Sequence, residues 1–189
     1  MTTRLAIPTG PRRAGCDARV RPLRRDVGFT LIEILIVVVI LGILASVVIP
    51  QFSNASHEAR ENTLKDELRY LRTQITVFRA QHRDLSPGYP GGSPSATPTE
   101  AAFLDHMTKY SNEDCSTSAT PAATHPFGPY LSKMPKNPMT EKGAVKISSA
   151  NPLVVDDPDH YGWVYNPQTV EIIANIAGND ASGTPYVDY

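Results

Sequence analysis

Residues 29–52 form one apolar run, FTLIEILIVVVILGILASVVIPQF, that carries a single charge, Glu33. As a helix it extends about 36 Å, enough to cross a hydrocarbon core about 30 Å thick. Ile36–Leu41 are all aliphatic, so this helix is apolar all round, which argues against the one-sided core helix of a soluble protein. A secretory signal would end its apolar stretch after roughly 7–15 residues at a small-x-small cleavage site. This run is longer and continues through Gln51 and Phe52 into further helical sequence, so it reads as a retained anchor.

Charge divides at the same place. Residues 1–28 hold seven arginines against Asp17 and Asp26, a net +5, while the remainder of the chain carries −6. An arginine-rich head ahead of an apolar span keeps the N-terminus cytoplasmic, and an acidic body argues against nucleic-acid binding. Two cysteines, Cys16 and Cys115, make no disulfide framework. The histidines (His57, His82, His106, His125, His160) show no metal-ligand spacing, and no P-loop, dinucleotide fingerprint or nucleophile elbow occurs. At 41% hydrophobic and 20% charged the composition is that of a folded chain. No nucleophile–base pair can be assembled, and the expectation is a protein without catalysis and without a cofactor.

Glu33 is the residue that asks for a function. A carboxylate within a lipid-spanning helix costs roughly 3 kcal/mol unless it finds a partner, and the first basic residue after it is Arg60. The partner must come from outside its own downstream helix. The segment Gly28-Phe29-Thr30-Leu31-Ile32-Glu33, behind a basic leader and ahead of an apolar run to Pro50, resembles the cleavage and methylation motif of type IV prepilins. The resemblance implies that a prepilin peptidase cuts between Gly28 and Phe29 and that the new amine of Phe29 is N-methylated. It also implies that Glu33 of one subunit pairs with the Phe29 amine of a neighbour, each charge being better tolerated paired than alone. The leader is long. Met1–Arg19 has no periodic pattern, and a translation start at Val20 leaves a compact VRPLRRDVG leader.

Beyond the span the pattern becomes amphipathic. Leu64, Leu68, Leu71, Ile75 and Phe78 fall at helical spacing on one stripe, expected to pack on the protein's own head, with Glu58, Glu61, Lys65, Arg69, Arg72 and Arg79 mostly on the surface. A two-heptad coiled coil with a partner is the lesser alternative. Continuous helix over residues 29–83 extends about 82 Å. Gly42 and Pro50 interrupt it, and Pro50 forces a kink or an opening. The resemblance to type IV pilins implies that the stretch between them can unwind on assembly.

The domain organisation read from this pattern is a leader over 1–28, a transmembrane or filament-core helix half over 29–52, an amphipathic half over 53–83 and a head over 84–189. Residues 84–98 form a Pro/Gly/Ser loop. Thr97 as N-cap with Pro98 and Glu100 behind it predicts a helix over 98–110 with Ala102, Phe103, Met107 and Tyr110 inward. Residues 111–140 contain five prolines and read as irregular. Strands are predicted over 144–148, 161–165 and 170–176, the last two joined by a hairpin turn at Asn166–Thr169. Trp163, Tyr165, Ile172 and Ile173 are expected to cover the stripe. The fold class is α+β: a long N-terminal helix packed on a small antiparallel sheet.

That order, together with Tyr70–His82, Tyr130–Pro138 and Gly162–Pro167, resembles the major pseudopilin of type II secretion more than a large adhesive pilin. The resemblance implies a single-pass bacterial inner-membrane protein with a periplasmic head, polymerising into a homo-oligomeric filament. Implied partners are a prepilin peptidase, sibling pseudopilins, an inner-membrane platform protein and an assembly ATPase. Two departures stand out. Leader cleavage leaves Cys115 alone, a free cysteine in a polar loop, where many type IV pilins close a C-terminal loop by a disulfide. Major pseudopilins often bind calcium in an acidic C-terminal loop. Asp180 and Asp188 are the corresponding weak calcium candidates, and they read more simply as a solvated acidic tail; Asp156-Asp157-Pro158-Asp159 is a second acidic turn. A type IV pilin for adhesion, motility or DNA uptake is the alternative function, and an anchored periplasmic binding protein that never polymerises is the alternative of another class.

Overall fold

The computed structural model describes residues 28–189. The leader, its alternative start at Val20 and Cys16 lie outside the described residues. The chain divides between Ala45 and Ser46 into two units, and helix α1, Leu31–Gln81, belongs to both.

In the first unit α1 opens on a side-chain cap. The Glu33 N–H donates to Thr30 Oγ1 at 3.2 Å, and the Glu33 and Ile34 N–H groups both reach the Thr30 carbonyl. Thr30 thus supplies the acceptor that a helix start lacks. From Leu31 to Leu44 every large apolar side chain is exposed, as the all-round pattern requires. The helix is long and apolar enough to cross a membrane. Gly42 and Pro50 both lie inside α1.

In the second unit the stripe is the spine of the core. Leu64, Leu68, Leu71, Ile75 and Phe78 are all fully buried, packed on the same chain's head as expected. At the C-terminus of α1 the His82 ring takes over where backbone donors run out. Its N–H turns to Arg79 O, while Nδ1 donates to Phe78 O at 2.7 Å. Helix α2 is Glu100–Thr108, capped by Thr99, whose Oγ1 accepts from the Ala102 N–H at 3.2 Å. The cap thus lies two residues after the expected one, Thr97, and the Glu100 carboxylate accepts from the Val145 N–H at 2.8 Å. Phe103 and Met107 are buried as predicted, while Ala102 and Tyr110 are half-buried.

A short antiparallel pair, β1 (Tyr110–Ser111) and β2 (Thr117–Ser118), takes Tyr110 from the end of the expected helix and otherwise lies within the stretch read as irregular. Two-residue strands carry no periodicity to read. The three-stranded sheet is mixed. β3 (Val145–Ile147) runs parallel to β4 (Trp163–Asn166), and β4 runs antiparallel to β5 (Glu171–Ala174). The connection over residues 148–162 is long enough to return the chain to the starting end, which a parallel neighbour needs. The β4–β5 turn is held by Asn166 Oδ1, which accepts from the Gln168 and Thr169 N–H groups.

Trp163, Tyr165 and Ile172 join the core around the stripe. Ile173 does not: it faces the other side of the sheet with Val164 and Leu153. Successive strand residues point to opposite faces, so Ile172 and Ile173 cannot share one. Buried asparagines secure the loops. Asn175 accepts from the Asp156 N–H and donates to Asp156 O and Tyr161 O, and Asn137 donates to Gly162 O.

Candidate processing and assembly site

The residues that the sequence singles out for processing and assembly stand together at the start of α1. Gly28, Phe29 and Thr30 are exposed and precede the helix outside any regular element, so the Gly28–Phe29 peptide is not part of the helix. A Cβ placed on Gly28 would meet nothing within 4 Å. Phe29 is 77% exposed. Glu33 sits at the third position after the Thr30 cap, where a carboxylate is favoured by the N-terminal end of the helix dipole. Among the described residues no ion pair involves it. The Thr30-x-x-Glu33 spacing is that of a capping box, a signal readable in the sequence and overlooked beside the apolar run.

The motif and this geometry coincide with a family. The model for the prokaryotic N-terminal methylation motif matches residues 24–49, bracketing the Gly28–Phe29 bond, the Thr30 cap and Glu33. Over this N-terminal stretch the chain resembles type IV pilins and pseudopilins. It is similar to the type II secretion system core protein G of Pseudomonas aeruginosa, 39% identical over 56 residues, which are 30% of this chain and 39% of that protein. Against the core protein G of Klebsiella pneumoniae the identity is 28% over 117 residues, 61% of this chain and 71% of that protein. The type IV major fimbrial protein FimA of Dichelobacter nodosus is 46% identical over 48 residues, 25% of this chain and 31% of that protein. The chain therefore spans about two fifths of the first of these relatives and more than two thirds of the second. No solved structure matches it.

The head carries charged residues in places that the sequence reading did not assign. Glu61 is buried, not on the surface. It lies one helical step before Leu64 on the stripe, and its Oε1 accepts from Tyr186 OH at 2.8 Å and faces His57 Nδ1 at 3.1 Å. His57 thus finds an acid four residues on, one helical turn away. A second pair of this kind joins His160 and Asp157 at 2.7 Å.

Asp180 is not a solvated tail residue. Its side chain is 5% exposed. Oδ1 accepts from Ser182 N, Ser182 Oγ and Thr184 N, and Oδ2 accepts from Tyr189 OH at 2.8 Å and Lys65 Nζ at 3.5 Å. The Ser182 hydroxyl, the Tyr189 hydroxyl and the two backbone N–H groups hold this carboxyl well below the usual carboxylate range. Asp188 is exposed and shares none of these bonds. Burial and the Glu61 carboxylate push the Tyr186 phenol up to about 12.

Cys115 is buried beneath its loop, not solvated in it. Burial and the neighbouring Asp114 push its thiol up to about 11, so it is protonated and unreactive at neutral pH. Among the described residues no group of three or more His, Cys, Asp or Glu side chains is arranged to hold a metal ion.

Proposed function

We propose that this chain is a pseudopilin: a structural subunit that polymerises through its N-terminal helix into a periplasmic filament of a type II protein secretion system. The observation that carries the reading is the arrangement at the start of α1. An exposed peptide bond outside the helix precedes a capped helix whose apolar first part, up to Phe52, carries a single carboxylate one turn in. Similarity to two secretion-system core proteins G supports the choice of system. In this reading a prepilin peptidase removes residues 1–28, Phe29 is N-methylated, and Glu33 pairs with the Phe29 amine of the neighbouring subunit. The anchor crosses the inner membrane once, with the head periplasmic. Sibling pseudopilins, a platform protein and an assembly ATPase complete the machine.

The similarity to a fimbrial protein over the N-terminal region supports a second reading, a type IV pilin. Deletion of the gene separates the two. Loss of exported proteins from the medium with their accumulation in the periplasm supports secretion; intact export with loss of surface fibres, motility or DNA uptake supports the pilus.

Processing offers a direct check. Gly28→Leu should block leader removal almost completely. A Cβ there meets nothing within 4 Å, so the expected defect arises in the peptidase site, which must admit the residue before the scissile bond. A membrane-fraction blot with N-terminal sequencing reads it. Maturation of the variant to a Phe29 terminus would refute the assignment of the cleavage site.

Gly42 and Pro50 are proposed as the points between which α1 unwinds as subunits enter the filament. A Cβ at Gly42 is accommodated without contact, and Gly to Ala strengthens a helix by roughly 1 kcal/mol. Gly42→Ala should therefore leave the isolated chain folded and reduce filament yield. An unchanged yield of sheared filaments would remove unwinding there from the mechanism.

A further inference from the structure

The C-terminal segment of the head, residues 178–189, lies against α1 and is closed by bonds that all come from this chain. Five donors converge on the Asp180 carboxylate: the Ser182 and Thr184 N–H groups, the Ser182 hydroxyl, the Tyr189 hydroxyl and the Lys65 ammonium of α1. The backbone carbonyls of the loop are similarly engaged. Gly178 O accepts from Tyr186 N, Asp180 O from Gly183 N, Thr184 O from Asp180 N and Pro185 O from Asp188 N. Two further bonds tie the segment to the helix. Tyr186 OH donates to the buried Glu61 carboxylate, and the Arg72 guanidinium donates to Tyr189 O. The Lys65 ammonium also stands 4.3 Å over the Tyr189 ring, within cation–π range, and Tyr186 meets Tyr189 edge to face at 5.4 Å.

A calcium ion asks for the reverse arrangement. It takes six to eight oxygens, carboxylate and carbonyl among them, all turned toward one point. Here N–H and O–H donors occupy the positions around Asp180 that a cation would take, and an ammonium already supplies positive charge beside it. Asp188, the other acid of the segment, is turned to solvent. The donor set does not fit the ion that the resemblance to major pseudopilins implies.

We propose that in this chain the C-terminal segment is a strap fastened by Asp180, Lys65 and Tyr189 at one point and by Glu61 and Tyr186 at another, in place of a cation, so that the head holds its fold independently of calcium. The strap fixes the last residues of the head to the α1 face that carries Glu61, Lys65 and Arg72. Its strength then depends on side chains encoded in the chain and not on the divalent ion concentration of the compartment.

The test uses the full chain in detergent micelles and follows thermal unfolding by the fluorescence of Trp163, the single tryptophan, which is wholly buried beside the stripe. A ligand that binds only the folded state raises the melting point as its concentration exceeds Kd. The wild-type midpoint is expected to be the same in millimolar calcium chloride and in EGTA. Asp180→Ala is expected to lower it by roughly 5 °C or more, in both media alike. Should that variant fail to fold, Tyr189→Phe removes one donor to the same carboxylate and is expected to give a smaller fall, again without response to calcium. A wild-type midpoint raised several degrees by calcium and returned by EGTA overturns the proposal, and so does a folded Asp180→Ala or Tyr189→Phe chain that melts with the wild type.

Discussion

Glu33→Ala should leave the chain in the membrane and empty the filament fraction. Removing the only charge of the 29–52 run makes the span more apolar, so insertion loses nothing on hydrophobic grounds. Leader removal should continue, because Glu33 lies four residues beyond Phe29 and the backbone bond that starts the helix goes to Thr30 Oγ1, not to the carboxylate. What the variant lacks, on the proposed pairing, is a counter-charge for the Phe29 amine of the adjoining subunit. Leaving one member of a buried ion pair alone typically costs about 3–5 kcal/mol, which lowers an association constant by two orders of magnitude or more. Glu33→Gln keeps the shape and a hydrogen-bond acceptor but not the charge, and should recover little. Sheared-filament yield beside a membrane-fraction blot reads both quantities from one culture. Wild-type filament from Glu33→Ala would take the pairing role away from this residue and favour the anchored binding protein that never polymerises.

The parts of this molecule legible in the sequence are those that repeat. The apolar run needs only length and composition. The stripe from Leu64 to Phe78 is written at helical spacing, and all five residues reach the core. The strand pair around Asn166–Thr169 shows its hydrophobic run and its turn residues together. What escaped has no period. The parallel pairing of β3 with β4 depends on where the chain goes over residues 148–162, and nothing in the strand sequences encodes direction. Ile173 was placed with Ile172 because a run of apolar residues hides alternation when both sheet faces are covered.

The polar misses share one cause. Glu61 is buried against Tyr186, 125 residues further on, and Asp180 takes a bond from Lys65, 115 residues before it, besides those from its own loop, and spacing on one element cannot announce the distant partners. The same holds at the far end of α1. His82 follows the stripe at the same spacing, yet a histidine is not counted as apolar. His106 on α2 belongs to a helix whose expected inward residues, Ala102, Phe103, Met107 and Tyr110, leave it out, although it is buried beside Phe103 and Met107.

Those two histidines make acid the condition to which this head should respond most. His82 and His106 are wholly buried, stacked on the ring of Phe78 with centroids at 3.8 and 5.2 Å. Their partners fix the tautomers. Phe78 O can only accept, so His82 carries its proton on Nδ1 and its Nε2 accepts from the Ser111 hydroxyl at 3.0 Å. The Gly88 N–H donates to His106 Nδ1 at 3.3 Å, so a proton added there would face another N–H and orphan a buried donor. Burial, with the nearby His82, lowers the His106 imidazole to about 4, against the opposing pull of Asp105. Burial lowers His82 as well, against its bond to Phe78 O and the charge of Glu113.

A group that is neutral when folded and protonated when unfolded makes the unfolded state bind more protons, so stability rises with pH across the window between the two pKa values. For His106 that window runs from its ordinary 6.5 down to about 4. The stability is present above the upper value and is lost as pH falls, by about 3 kcal/mol in all at 1.36 kcal/mol per unit, with His82 adding to the slope. The paired carboxylates contribute below this window, since Asp180 is held low by its donors. Denaturant midpoints followed by Trp163 fluorescence should therefore hold steady from pH 8 to 7 and fall steadily between pH 6.5 and 4.5. His106→Gln should flatten most of that fall, even if it starts from a lower midpoint at pH 7, because glutamine offers Gly88 an acceptor and cannot take up a proton. A midpoint that stays level to pH 4.5 in the wild type, or a variant that keeps the full slope, would show that the imidazoles are not the groups through which acid opens this head.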